Sequence, residues 1–205
     1  MAEEKRKVAI DADFFLKLTE KQNSGELFIK IIDEMNVLPV MHQYVYEDEL
    51  YLNSVAHDLV DQGIMQVVQY KDFLQDTEKL RYEDNFRNAY QYFNMKAMTD
   101  NVYSYKKKGE SLGEIRTALM AVYMGIDLFM SDDGGAKMFV KSRLHSDRHP
   151  LAVYSVYDTL LCIAQKADKK LLWKDVKGCA KAVFKNRKIL YHNLNEVWHR
   201  NNCEI

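Results

Sequence analysis

Residues 126–137 read IDLFMSDDGGAK. An apolar run of strand composition ends in Ser131, Asp132 and Asp133, and two glycines then open a helical stretch. Adjacent carboxylates repel each other and resist burial. At a strand end they are placed to hold a ligand or to cap a helix. The N-terminal run KVAIDADFFLKL (7–18) has the same design: Val8 to Ile10 reads as a short buried strand that ends at Asp11.

Working outward from these two segments, strands alternate with helices. GELFIKIIDEM (25–35) has helical apolar spacing. Around Pro39 the chain is expected to be extended, followed by a helix from about Gln43 to Asp61 that stops at Gly63. IMQVVQY (64–70) has strand composition. Residues 72–108 are polar, tyrosine-rich and expected to be helical, an insertion on the core. Ser111 to Gly125 reads as a helix with Ser111 as N-cap, Glu114 three positions on and Gly125 as the stop. After GGAKMFVKSRL, a third strand is expected in LAVYSV, then a helix in YDTLLCIAQKA and one or two more over 168–200. The alternation predicts an α/β fold with a mostly parallel sheet. Ligands in such sheets sit at the carboxyl ends of strands, which is where Asp11 and the Asp132/Asp133 pair fall.

Bulk properties narrow the class. With 205 residues, the chain is long enough for one sizeable core. Hydrophobic residues make up 47% and charged residues 29%, as in an ordinary water-soluble domain. No window is apolar for long enough to span a bilayer, and the N-terminus lacks a signal-peptide core. Cys162, Cys179 and Cys203 are odd in number and have no metal-ligand spacing; they read as reduced thiols of a cytoplasmic protein. The formal net charge is −1, so the whole molecule has no bias toward polyanions. The segment from Lys166 to Lys188 is locally basic, however.

Several carboxylates in one pocket need a compensating cation. Mg²⁺ or Mn²⁺ supplies it through oxygen ligands, and such ions support phosphodiester hydrolysis without a nucleophilic side chain. Asp11, an acid of YEDEL (46–50), Glu114 and Asp132/Asp133 form the expected set. Each also has a purely structural reading. Glu114 completes a capping box with Ser111, Glu47 to Glu49 form a solvated helix face, and Asp13 or Asp132 caps a helix. Asp11 is the hardest to explain structurally, because it ends an apolar strand.

Three segments resemble the PIN domain, a family of metal-dependent ribonucleases. VAIDADFFLKL resembles the family's opening strand and helix. VLPVMHQYVYEDEL is similar to its second motif, and GEIRTALMAVYMGIDLFMSDDGGAK to its third and fourth. The likeness covers about 10–160, with its spacing broken at 70–110. It implies a three-layer α/β/α sandwich over residues 1–165, carrying a helical insertion at about 71–110, with a basic helical extension at 166–205 packed on the same domain. It implies catalytic carboxylates at Asp11, Glu49, Glu114, Asp132 and Asp133, with metal held by Asp11, Glu114 and Asp132 or Asp133. Glu49 is preferred over Glu47 because it precedes Leu50. Asp13, Glu47 and Ser131 are expected to support the ligands. The implied activity is metal-dependent cleavage of nucleic acid, RNA by family likeness. A homodimer is compatible with the family, an antitoxin-like partner is not evident, and no membrane is involved.

Phosphate contacts are expected from Arg116, Lys137 and Lys141, and from a stripe of Lys174, Lys177, Lys181 and Lys185. A solvated lysine face is the plainer reading of that stripe. YSYKKK (103–108) interleaves Tyr103 and Tyr105 with lysines, as a single-strand stacking platform does; tyrosines that simply pack are the alternative. Two rivals remain. The DxD of VAIDADFFL also resembles the haloacid dehalogenase phosphatases, with Asp11 as nucleophile and Asp13 as general acid. The second rival is a non-catalytic PIN-like scaffold that binds RNA or protein.

Overall fold

A computed structural model describes residues 5–19, 25–93, 101–105, 111–144 and 150–200. The chain runs β1 (Arg6–Ile10), α1 (Ala12–Thr19), α2 (Glu26–Met35), β2 (Val37–His42), α3 (Ser54–Asp61) and β3 (Gln66–Val68). It continues through α4 (Tyr70–Phe73), α5 (Lys79–Tyr92), α6 (Leu112–Tyr123), β4 (Leu128–Met130) and α7 (Gly134–Phe139). It closes with β5 (Ala152–Tyr154), α8 (Val156–Ala164), α9 (Trp173–Val183) and α10 (Lys188–Arg200).

The five strands form one sheet in the order β3-β2-β1-β4-β5, and every pairing is parallel. Parallel strands need crossover helices, so both faces are covered and the central strands can be apolar throughout. Val8, Ala9, Ile10, Phe129 and Met130 are accordingly fully buried. The helix α6 packs on β1, β2 and β4 and against α5 and α7, while α2 packs on β2 and α1. The arrangement is that of an α/β fold compatible with three layers.

The order of the strands creates the functional edge. From β1 the chain steps outward to β2 and β3, then crosses to the other side of β1 to lay down β4 and β5. The reversal lies between β1 and β4, where Ala9 pairs with Phe129 and Ile10 with Met130. The next residues, Asp11 and Ser131, stand at the mouth of that crevice. Open α/β sheets bind their ligands there, because the connections on the two sides diverge.

Several local features differ from expectation. The segment expected as one helix over 43–61 is two pieces. Val45–Glu49 is a single π-helical turn, and Asn53 then starts α3 by accepting a hydrogen bond from the Ala56 N–H at 3.0 Å. An Asn side chain that satisfies a free helix N–H competes with continuation of the preceding turn. Ser111 does not cap α6: it adopts a left-handed φ of 68° and makes no side-chain cap. Asp13 does not cap α1 either; the Asp11 carboxylate does so, accepting from the Phe14 N–H at 2.8 Å. Gly125 does terminate the 111–125 segment, with a φ of 66° that glycine adopts without strain.

The C-terminal helices share the core. Val176 and Trp198 are fully buried, α10 packs on α8, and the Cys179 thiol of α9 points at the Lys17 carbonyl at 3.4 Å. No helix among the described residues is long and apolar enough to cross a membrane.

Candidate functional site

Asp11 forms the centre of the site. It is 2% exposed, and its Oδ2 has no hydrogen-bond partner. Burial pushes its pKa up to about 7; the Ser131 side chain and the Phe14 N–H oppose that rise, and the charges of Glu114 and Asp13 add to it. A carboxyl group this deep would normally be paired or fully hydrogen-bonded.

Two glutamates converge on it from different elements. Glu49 ends the π-helical turn that follows β2, and its carboxylate turns inward over Gly113 of α6. A Cβ placed on Gly113 would stand 2.7 Å from Glu49 Oε2, so the absence of a side chain makes room for the acid. Although the residue as a whole is exposed, that inward turn desolvates the carboxylate. Its pKa is pushed up to about 8 by this burial and by the charges of Glu114, Asp11 and Asp48, with Arg116 opposing. Glu114, in the first turn of α6, has its pKa raised by burial and by the charges of Asp133 and Asp13. Each of these acids makes ionisation of the others harder. Glu47, the alternative in YEDEL, is exposed as well, but its carboxylate accepts from the Gln43 side chain at 2.6 Å rather than resting on Gly113.

The two aspartates after β4 have separate structural duties. Asp133 Oδ1 caps α7, accepting from the Ala136 N–H at 2.6 Å, while its own N–H donates to Ser131 Oγ at 3.2 Å. Asp132 Oδ1 reaches across to α8 and accepts from the Val156 N–H at 2.8 Å. Its other oxygen, Oδ2, pairs with Lys17 at 2.9 Å, and Lys17 also holds Asp13 at 2.6 Å. Burial disfavours the Lys17 charge, but its hydrogen bonds to Asp13 and Asp132 outweigh burial and raise its pKa. Lys17 was not anticipated, although its i,i+4 spacing from Asp13 signals an ion pair along one helix face.

The fold thus gathers Asp11, Asp13, Glu49, Glu114, Asp132 and Asp133 at one sheet edge, with Lys17 among them. In the side-chain positions seen, no three His, Cys, Asp or Glu residues among those described enclose a metal position. The donor chemistry nevertheless suits a hard divalent ion: oxygen ligands only, one buried oxygen without a partner, and carboxylates that resist ionisation in each other's presence. Asp11, Glu49 and Glu114 fit that role best, because Asp132 and Asp133 already spend an oxygen each on a helix cap.

The expected phosphate contacts separate into two groups. Arg116 is corrected: it is 1% exposed, its guanidinium donates to the carbonyls of Val102 and Tyr105, and it lies over the Tyr44, Tyr70 and Phe86 rings at 4.9, 5.5 and 5.3 Å. Helical burial of α6 turned a residue expected at the surface into an anchor for residues 101–105. Lys137 is exposed and pairs with Asp158 at 3.1 Å, and Lys141 is exposed. Lys174, Lys177 and Lys181 are exposed on α9, opposite the buried Val176, Cys179 and Ala180; Lys185 is exposed just past the helix end. Of YSYKKK, Tyr103 and Tyr105 are half-buried, whereas the three lysines lie outside the described residues.

No family model, curated protein or solved structure matches the chain.

Proposed function

We propose that the protein is a divalent-metal-dependent nuclease with a PIN-like active site, acting on single-stranded RNA. The observation that carries the reading is Asp11. It is a buried carboxylate with an unpartnered oxygen, at the switch point of a parallel sheet, and Glu49 and Glu114 are near enough to raise each other's pKa. Such a cluster is under-compensated as it stands and favours a cation of higher charge than lysine.

Mg²⁺ or Mn²⁺ held there would lower the pKa of an attacking water and offset the charge of the phosphodiester. The protein's own groups then have definable tasks. Asp11, fixed through one oxygen by the Phe14 N–H, keeps its other oxygen unpartnered at the strand end. Glu49, seated over Gly113, and Glu114 bring two further carboxylates to the site, and Glu49, with its pKa pushed up to about 8, is suited to accept a proton from the attacking water. Lys17 fixes Asp13 and Asp132 and keeps a positive charge at the rim, suited to a substrate phosphate. The exposed lysines of α9, whose buried face lies beside α1, offer a path for the backbone of the strand.

The phosphatase alternative uses Asp11, Asp13 and the Asp132/Asp133 pair but gives Glu49 and Glu114 no task, although the fold brings both beside Asp11. The deciding experiment is cleavage of an end-labelled single-stranded RNA with Mn²⁺ or Mg²⁺, beside a chelator control and Asp11→Asn. Cleavage is expected only with metal and only with Asp11 intact. A folded, metal-supplied protein that leaves RNA uncut would overturn the proposal; hydrolysis of a small phosphomonoester by the same sample would point to the phosphatase.

A further inference from the structure

The acids at the sheet edge are not served alike. Asp11, Glu49 and Glu114 hinder one another's ionisation, and Asp11 Oδ2 is buried without a hydrogen-bond partner. Asp13 and Asp132, by contrast, already share a cation. Lys17, in the last turn of α1, places its Nζ 2.6 Å from Asp13 Oδ2 and 2.9 Å from Asp132 Oδ2. The Val156 N–H donates to Asp132 Oδ1, so both oxygens of Asp132 are engaged.

Three elements fix that ammonium in place. Asp13 precedes Lys17 by four residues, on the same face of α1. Asp132 arrives from the end of β4, and its side chain is only 10% exposed. The Lys17 carbonyl accepts the Cys179 thiol, which ties the end of α1 to α9. The bridge also adjoins the buried acids, because the charge of Asp13 acts on both Asp11 and Glu114.

Carboxylate oxygens that converge from different elements are also what hold a hard divalent ion. Paired ions about 4 Å apart are a common means of offsetting charge at both ends of a phosphodiester displacement. Here the convergence point of Asp13 and Asp132 is filled by an ammonium, and an ion enters there only by expelling it. Two of the three N–H donors of Lys17 are used; the third has no acceptor among the described residues and is left for a phosphate oxygen. We propose that Lys17 holds the place of a second divalent ion: the acids take one Mg²⁺ or Mn²⁺ at Asp11, Glu49 and Glu114, and the ammonium supplies the other positive charge. The inference rests on the metal-dependent reading above and fixes how many ions that site takes.

The test counts bound ions and needs no substrate. Mn²⁺ is titrated into the full chain, and the free ion is followed by its electron paramagnetic resonance signal. Wild type should bind one Mn²⁺. Lys17→Met, which keeps the side-chain stem and removes the charge, should bind two. Lys17→Met combined with Asp13→Asn should return to one, because the vacated position then lacks a carboxylate. Two ions in wild type, or one in Lys17→Met, would overturn the assignment and leave Lys17 as an ion-pair partner only. No bound Mn²⁺ in wild type would overturn it together with the metal-dependent reading. Wild type that binds one ion, with the second appearing in Lys17→Met, yet leaves RNA uncut supports the role of Lys17 and refutes the nuclease alone.

Discussion

Replacing Asp11 by Asn isolates the electrostatic strain at the site. Below about pH 4, the carboxyl group is protonated in folded and unfolded chains alike, so it costs nothing there. As pH rises, the unfolded chain releases the proton near its ordinary value while the folded chain holds it to about 7. Stability present at low pH is therefore lost between about pH 4 and pH 7. A difference of about 3 pH units corresponds to about 4 kcal/mol at pH 8 in the absence of a cation. Asn preserves the acceptor for the Phe14 N–H but buries an amide NH₂ beside the site, which returns about 1–3 kcal/mol of that gain. The net expectation is that metal-free Asp11→Asn is more stable than wild type at pH 8 by about 2 kcal/mol. For a chain of this length, that is about 5 °C in melting temperature. At pH 4 the order should vanish or invert. Thermal melts of both proteins in chelator from pH 4 to 8, repeated with Mn²⁺, provide the assay. Mn²⁺ should raise the wild-type melting temperature at pH 8 and leave Asp11→Asn unmoved. A wild-type stability flat across that range, with Asp11→Asn below it at pH 8, would refute the claim that Asp11 is an uncompensated buried acid.

Gly113→Ala places a methyl group where the Glu49 carboxylate rests, and because the carboxylate ends a flexible side chain it moves rather than the helix. Helix propensity then favours the variant by up to about 1 kcal/mol, so melting should hold or rise while cleavage rate falls; an unaltered rate would remove Glu49 from the active site. Lys17→Met frees Asp13 and Asp132 at a stability cost of about 1 kcal/mol or less, since that pair is part-exposed. Calorimetry should show Mn²⁺ binding about five-fold tighter, the scale expected when a competing cation is removed, and weaker binding would contradict the role given to Lys17. Arg116→Met strips the donors from the Val102 and Tyr105 carbonyls and should cost about 2–4 kcal/mol in urea unfolding. A near-neutral effect would mean that residues 101–105 are not anchored through it.

Short apolar runs that end in aspartate, helical periodicity between them and two prolines in the whole chain were enough to read an α/β alternation with acids at strand ends. Those signals are local: a strand of three to six residues announces itself by composition, and a helix by its spacing. The order β3-β2-β1-β4-β5 is a property of crossovers between distant segments, and only the folded chain places Asp11 beside Ser131. The division of labour among the acids was equally hidden. Asp132 and Asp133 are identical neighbours in sequence, yet one caps α8 from 24 residues away while the other caps α7. Glu49 was separated from Glu47 by the π-helical turn, which lays the Glu49 carboxylate on Gly113 and leaves that of Glu47 with Gln43.

Arg116 shows the same limit from the other side. An arginine two residues after a glutamate reads as a phosphate contact, because sequence spacing does not say which helix face meets a sheet. Close packing of α6 on β1, β2 and β4 buries the guanidinium. The sequence by itself determined the alternation of elements and the supply of carboxylates. Tertiary structure decided which carboxylates share a pocket and which are consumed as caps, because desolvation and charge coupling depend on distances through space rather than along the chain.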